Sequence, residues 1–247
     1  MKLLSLSTKI YIGLVIILAI LAGIYVFLPQ YLFLPSQNLP ASKPVLALIN
    51  AVCMLIIYGG LGFLGLKLTR ELGFVDIWDK NISNKQRFLI PAAIGGIIGL
   101  FFIIIDLIFR RFNFVGAIPH PPFPSSIVAS GIAGIGEEII FRLFFISFWT
   151  WFVSRVILKR RWQNQIFWIT AIFSAVAFAL GHLPSLMILF GWHTFTGIPL
   201  VFLTEILILN GVLSIFAAYY FRKFGFLAAV GVHFWTDIVW HVIWGII

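Results

Sequence analysis

Charge is what this sequence has least of. Only 10% of its 247 residues are Asp, Glu, Lys or Arg, while 62% are hydrophobic. A soluble domain carries about a quarter charged residues. A chain of this length could bury a large core, but it lacks the polar residues needed to cover one. That excludes an ordinary water-soluble globule and leaves lipid as the outer solvent. Cysteine is nearly absent as well: the single Cys53 excludes an intramolecular disulfide and a cysteine-based zinc cluster. There is no H-E-x-x-H motif, internal repeat, low-complexity tract or stretch polar enough for a soluble domain.

What is present is apolar sequence in long runs. Seven segments are long enough, or nearly so, to cross a bilayer: roughly 10–28, 45–66, 88–109, 125–152, 166–183, 198–220 and 226–246. The expected fold is therefore all-α, a polytopic transmembrane helix bundle of about seven spans. The first run follows Lys2 and Lys9 and is long for a signal peptide, so it reads as a retained span. Pro184 either kinks or ends the fifth, and 183–197 could be re-entrant or interfacial.

The net charge of +9 sits in the connections. Thirteen of the 17 cations fall on one side of a seven-span chain: Lys2, Lys9, Lys67, Arg70, Lys80, Lys85, Arg87, Arg155, Lys159, Arg160, Arg161, Arg222 and Lys223. Lys43, Arg110 and Arg111 fall on the other, and Arg142 lies within a span. The asymmetry assigns a cytoplasmic N-terminus and an outside C-terminus, with 67–87 as a cytoplasmic connection. Charge so placed suits anionic headgroups, and no nucleic acid is expected as a partner. Residues 110–124, with Pro119, Pro121, Pro122 and Pro124, form an irregular connection. It divides three N-terminal spans (1–124) from a four-span unit (125–247).

Five of the eight acidic residues fall inside apolar runs: Asp106, Glu137, Glu138, Glu205 and Asp237. An ionisable group at mid-bilayer costs about 2.5–3.5 kcal/mol on insertion scales, so such groups face the bundle interior and find partners. In the fourth run Glu138 and Arg142 stand at i, i+4 and can pair on one helical face, while Glu137 projects about 100° away and is left free. A free carboxylate can act as a general base, and a purely structural polar clamp is the alternative. In the fifth run Phe178 and His182 share a face. In the seventh His233, Asp237 and His241 do so, and a carboxylate at that spacing can fix a histidine's tautomer.

Glu137-Glu138-x-x-x-Arg142, Phe178-x-x-x-His182 and His233-x-x-x-Asp237 occur in order, each in a different span. The pattern resembles the CAAX-protease and bacteriocin-processing family of intramembrane proteases, whose motifs are E-E-x-x-x-R, F-x-x-x-H and H-x-x-x-N/D. The likeness covers about residues 125–240. It implies an endopeptidase cutting a membrane-associated or lipidated protein or peptide. Glu137 would activate water, His182 would hold that water, and His233 would stabilise the oxyanion, with Asp237 assisting if protonated. Glu138, Arg142 and Phe178 would hold the site's shape. Family members of the eukaryotic type carry Asn where this chain has Asp237; ionised Asp cannot donate to an oxyanion, so Asp237 is either protonated or orients His233.

The resemblance leaves the metal open. Glu137, His182 and His233 are the candidate zinc ligands, and the same residues could work without metal. The non-enzymatic alternative is a membrane immunity or accessory protein, and a transporter is a third reading, since intramembrane acids and histidines also build proton relays. The chain looks more like the prokaryotic branch, which places it in a prokaryotic plasma membrane. Helical rises, counted from the basic side, set Glu137 about 27 Å, His182 about 25 Å and His233 about 15 Å deep. If the three converge, something must lift His233.

Overall fold

The computed structural model describes residues 4–30 and 40–247; Lys2, one of the thirteen cations on the basic side, lies outside them. Among the described residues seven helices are long and apolar enough to cross a membrane, and no strand forms. They are α1 (Leu6–Tyr25), α2 (Lys43–Glu71), α3 (Lys85–Phe109), α4 (Ser125–Ile157), α5 (Gln163–Phe190), α6 (Leu200–Phe224) and α7 (Phe226–Ile246). The chain is an integral membrane protein. A helix satisfies its own backbone groups, so it is the natural unit where no water is at hand. The outward faces carry large apolar side chains such as Ile56, Ile97 and Phe173.

Most helices outrun their apolar stretch. α2 continues to Glu71 and α3 begins at Lys85, so the irregular connection is 72–84 rather than 67–87. Lys67 and Arg70 ride on the carboxyl end of α2, where cations suit the exposed carbonyls. Arg87, 2% exposed, organises the connection: its Nη2 donates to the carbonyls of Asp79 (2.7 Å) and Ile82 (2.8 Å), and its guanidinium stacks on Trp78 at 3.8 Å. Pro184 does not end α5, because proline is tolerated in a first turn. The helix bends at His182 and resumes over Leu183–Phe190, and Gly191 at φ +68 stops it.

The interior is built on close helix approach. α7 is the most buried span and α2 the least. Gly95 and Gly99 of α3 lie against the backbone of α7 at Val232 and Thr236, where a Cβ would collide. The hydroxyl of Thr236 crosses the seam to donate to the carbonyl of Gly95 at 3.1 Å. Gly65 of α2 packs in the same way on the carbonyl of Leu143 in α4. One core cluster gathers Leu18, Leu66, Ile139, Leu143, Phe167 and Phe221; a second gathers Phe102, Phe178, Phe202, Leu213, Val232 and Trp240.

Gly225 joins α6 to α7 at φ +88 and lies under the 72–84 connection, with the carbonyl of Asp76 2.9 Å from where its Cβ would be. Phe226 beside it is 1% exposed. This turn is inside the bundle, not at its surface. α7 therefore starts beneath that connection, which works against the lag of about 10–12 Å that a straight-helix count from the basic side gives His233, at about 15 Å, behind Glu137 and His182.

Candidate active site

Two of the helices that deliver the site change pitch beside it. α4 is α-helical through Glu138 and then widens to π over Ile139–Ile146; α7 is α-helical through Asp237 and widens over Ile238–Ile243. Such wide turns cluster at functional sites because they redirect side chains and loosen the backbone ladder. Hydroxyls face the loosened carbonyls of α4: Ser174 toward Phe141 at 3.4 Å and Ser147 toward Arg142 at 3.5 Å.

Glu138 is fully buried and its Oε1 has two cationic or donor neighbours. Arg142 Nη1 stands 3.0 Å away on the same helix, and His233 Nδ1 donates from α7 at 2.8 Å. Arg142 is also fully buried, and its guanidinium lies 4.9 Å from the centre of the Phe178 ring. By distance it is an ion pair, although no guanidinium nitrogen makes an aligned hydrogen bond. The pair contributes charge balance more than directional bonding.

With Nδ1 committed to Glu138, the Nε2 atom of His233 faces two more carboxylates: Glu137 Oε2 at 3.7 Å and Asp237 Oδ2 at 3.6 Å. Both exceed a direct hydrogen bond and leave no room for an atom between the partners. The Glu137 side chain is 34% exposed and makes no hydrogen bond through its buried Oε2, whereas Glu138 is 0% exposed. The hydrogen-bonded partner that orients His233 is thus Glu138, not Asp237.

His182 sits at the bend of α5. Its Nδ1 donates to the carbonyl of Phe178 at 2.8 Å, which leaves Nε2 as an acceptor. Phe178 is the hub beneath both imidazoles: its ring meets His182 edge-on at 4.9 Å, His233 at 5.7 Å and Phe141 at 5.1 Å. Glu137, His182, His233 and Asp237 all line one cavity of about 440 Å³, walled by apolar side chains including Ile140, Phe141, Leu209 and Leu213.

The cavity has polar lining that the motifs do not include. Tyr58, Ser185, Asn210 and His241 also face it. His241, one turn beyond Asp237, and Asn210, a lone amide in an apolar run, left a visible signal in the sequence; Tyr58 left none. Asp106 and Glu205, the other intramembrane acids, are fully buried but hold the 110–124 connection instead. Among the described residues no group of three or more His, Cys, Asp or Glu is arranged to hold a metal ion.

A family model described as type II CAAX prenyl endopeptidase Rce1-like matches residues 119–239, a range that takes in all three motifs. No match is found among curated proteins or among solved structures.

Proposed function

Because residues 119–239 place the chain in the type II CAAX prenyl endopeptidase Rce1-like family, we propose that this CAAX-type membrane endopeptidase hydrolyses its substrate with water activated by Glu137. The observation that carries the reading is the inequality of the two glutamates. Glu138 is fully buried with its Oε1 taken by Arg142 and His233, while Glu137 is 34% exposed and lines the cavity with no hydrogen-bond partner for its Oε2.

Glu137 takes a proton from a water whose other hydrogen is held by the Nε2 acceptor of His182. The hydroxide adds to the scissile carbonyl carbon, and the resulting oxyanion meets an N–H at Nε2 of His233. That ring is doubly protonated in this step, with Nδ1–H on Glu138. Asp237 carries a proton and donates beside it. Glu137 returns its proton to the leaving nitrogen as the C–N bond breaks, releasing a new amine and a new carboxylic acid, which ionises by giving up the second hydrogen of the water to solvent. Preorganised donors aimed at developing charge in a water-poor cavity are worth several kcal/mol.

The substrate is a membrane-associated or lipidated protein or peptide, reached from within a prokaryotic plasma membrane with the N-terminus cytoplasmic and the C-terminus outside. The test is cleavage by the purified, reconstituted protein of a panel of membrane-anchored peptides in heavy-oxygen water. One labelled oxygen in the new C-terminal carboxylate is the expected product. A panel left intact by protein whose fold is verified would overturn the reading in favour of a binding or immunity role.

A further inference from the structure

The connection between α3 and α4 contains Pro119, Pro121, Pro122 and Pro124. Proline offers no backbone donor, so such a segment cannot be held by a regular ladder and depends on side chains. At its root Asp106 Oδ1 accepts the N–H of Ile118 at 3.0 Å and Glu205 Oε2 accepts from Asn113 Nδ2 at 3.3 Å. Asn113 Oδ1 in turn accepts the N–H of Gly116 at 2.8 Å. Both carboxylates are fully buried. At its tip His120 Nδ1 lies 3.0 Å from His241 Nδ1 of α7. The His120 ring stands edge-on to Trp240 at 4.6 Å, and Gly245 leaves the room that His120 occupies.

A contact between two Nδ1 atoms requires one ring to donate and the other to accept, so at least one must be neutral. Burial pulls His120 down to about 4, which keeps it neutral near pH 7. At and beside these two anchorages Ile118, Pro119 and Pro121 line the same cavity as Glu137, His182 and His233. Swinging the segment away would strand the buried Asp106 and Glu205 carboxylates at its root and break the part-buried histidine pair at its tip, a cost that favours a fixed wall over a moving lid.

We propose that the His120–His241 hydrogen bond fixes the Ile118–Pro121 segment as a wall of the catalytic cavity, making these two histidines positioning residues that set which substrate side chains fit beside the scissile bond. The inference rests on the protease reading for its consequence, but not for its geometry. With the wall in place the site takes compact side chains; with it released, bulkier ones enter.

The experiment has two arms on the full-length reconstituted protein. In the first, Ala133→Cys, at a position lining the cavity, reports access in a Cys53→Ser background. His120→Phe keeps a ring against Trp240 but cannot hydrogen-bond, whereas His120→Asn keeps a polar atom near the Nδ1 position. The expected result is labelling by a bulky thiol reagent about tenfold faster in His120→Phe and His241→Phe, near wild-type in His120→Asn, and little changed for a small reagent. In the second arm, two peptides differing in side-chain size beside the cut are compared. His120→Phe shifts the kcat/KM ratio towards the bulky one by about tenfold, through KM more than kcat. Labelling and cleavage ratios that both stay at wild-type values in correctly folded Phe variants overturn the wall. If labelling shifts but the wild-type protein cuts neither peptide, the wall stands and the protease reading fails.

Discussion

Glu137 and Glu138 are neighbours in sequence and opposites in environment. Spacing alone separates them: an i, i+4 arginine can reach Glu138 and not Glu137. The structure adds a partner from a helix 95 residues away, the Nδ1 of His233, which also bonds Glu138. That pairing is illegible in the sequence because it depends on how α4 and α7 pack. The same holds for His120, an unremarkable loop residue until α7 brings His241 within 3.0 Å of it. Removing the cation from the buried pair should be severe. Arg142→Ala leaves Glu138 in a water-free interior with only His233, and about 3–5 kcal/mol of stability should be lost. Thermal unfolding in detergent measures this, and a variant as stable as wild type would mean that the pair is more hydrated than its burial indicates. Glu138→Gln should release the fixed orientation of His233 and lower turnover with a smaller stability change, since a neutral amide can still accept from Nδ1.

At the level of elements, the apolar runs announce every span, because a stretch of about 20 apolar residues has few other uses. Their ends are not announced. α2, α3, α4 and α5 continue into polar sequence because a helix, once begun, gains a backbone bond with each added residue whatever its side chain. The buried turn at Gly225 is also hidden: it depends on the 72–84 connection folding over it, anchored by Arg87. Glycines in apolar runs look alike on paper but differ in place. Gly95 abuts the backbone of α7, whereas Gly96 has nothing within 4 Å of where a Cβ would stand. Gly95→Val should therefore push α3 from α7 and cost about 1–3 kcal/mol, and Gly96→Ala should be close to neutral. Paired melting curves in detergent decide; a Gly95→Val protein as stable as Gly96→Ala would contradict the close α3–α7 seam.

The whole molecule is a bundle in which apolar residues face outward as freely as inward, and its few intramembrane charges are gathered into two places. One is the cavity formed by α4, α5, α6 and α7; the other is the pair Asp106 and Glu205 that roots the proline-rich connection. From the cation asymmetry follows a prediction about the two sides of the membrane. Single cysteines placed at Lys80 and at Phe114, again in a Cys53→Ser background, should be labelled by impermeant reagents from opposite faces, with Lys80 cytoplasmic. Labelling of both from one face would break the seven-span order. The central claim is that the Glu137 carboxylate, on the wall of this cavity, performs the hydrolysis. Its most direct measurement is turnover of a cleaved membrane-anchored peptide by Glu137→Gln, with thermal unfolding recorded on the same preparation. The account predicts a folded protein, no less stable than wild type, whose kcat falls by about 10²–10⁴; full cleavage by folded Glu137→Gln would contradict it.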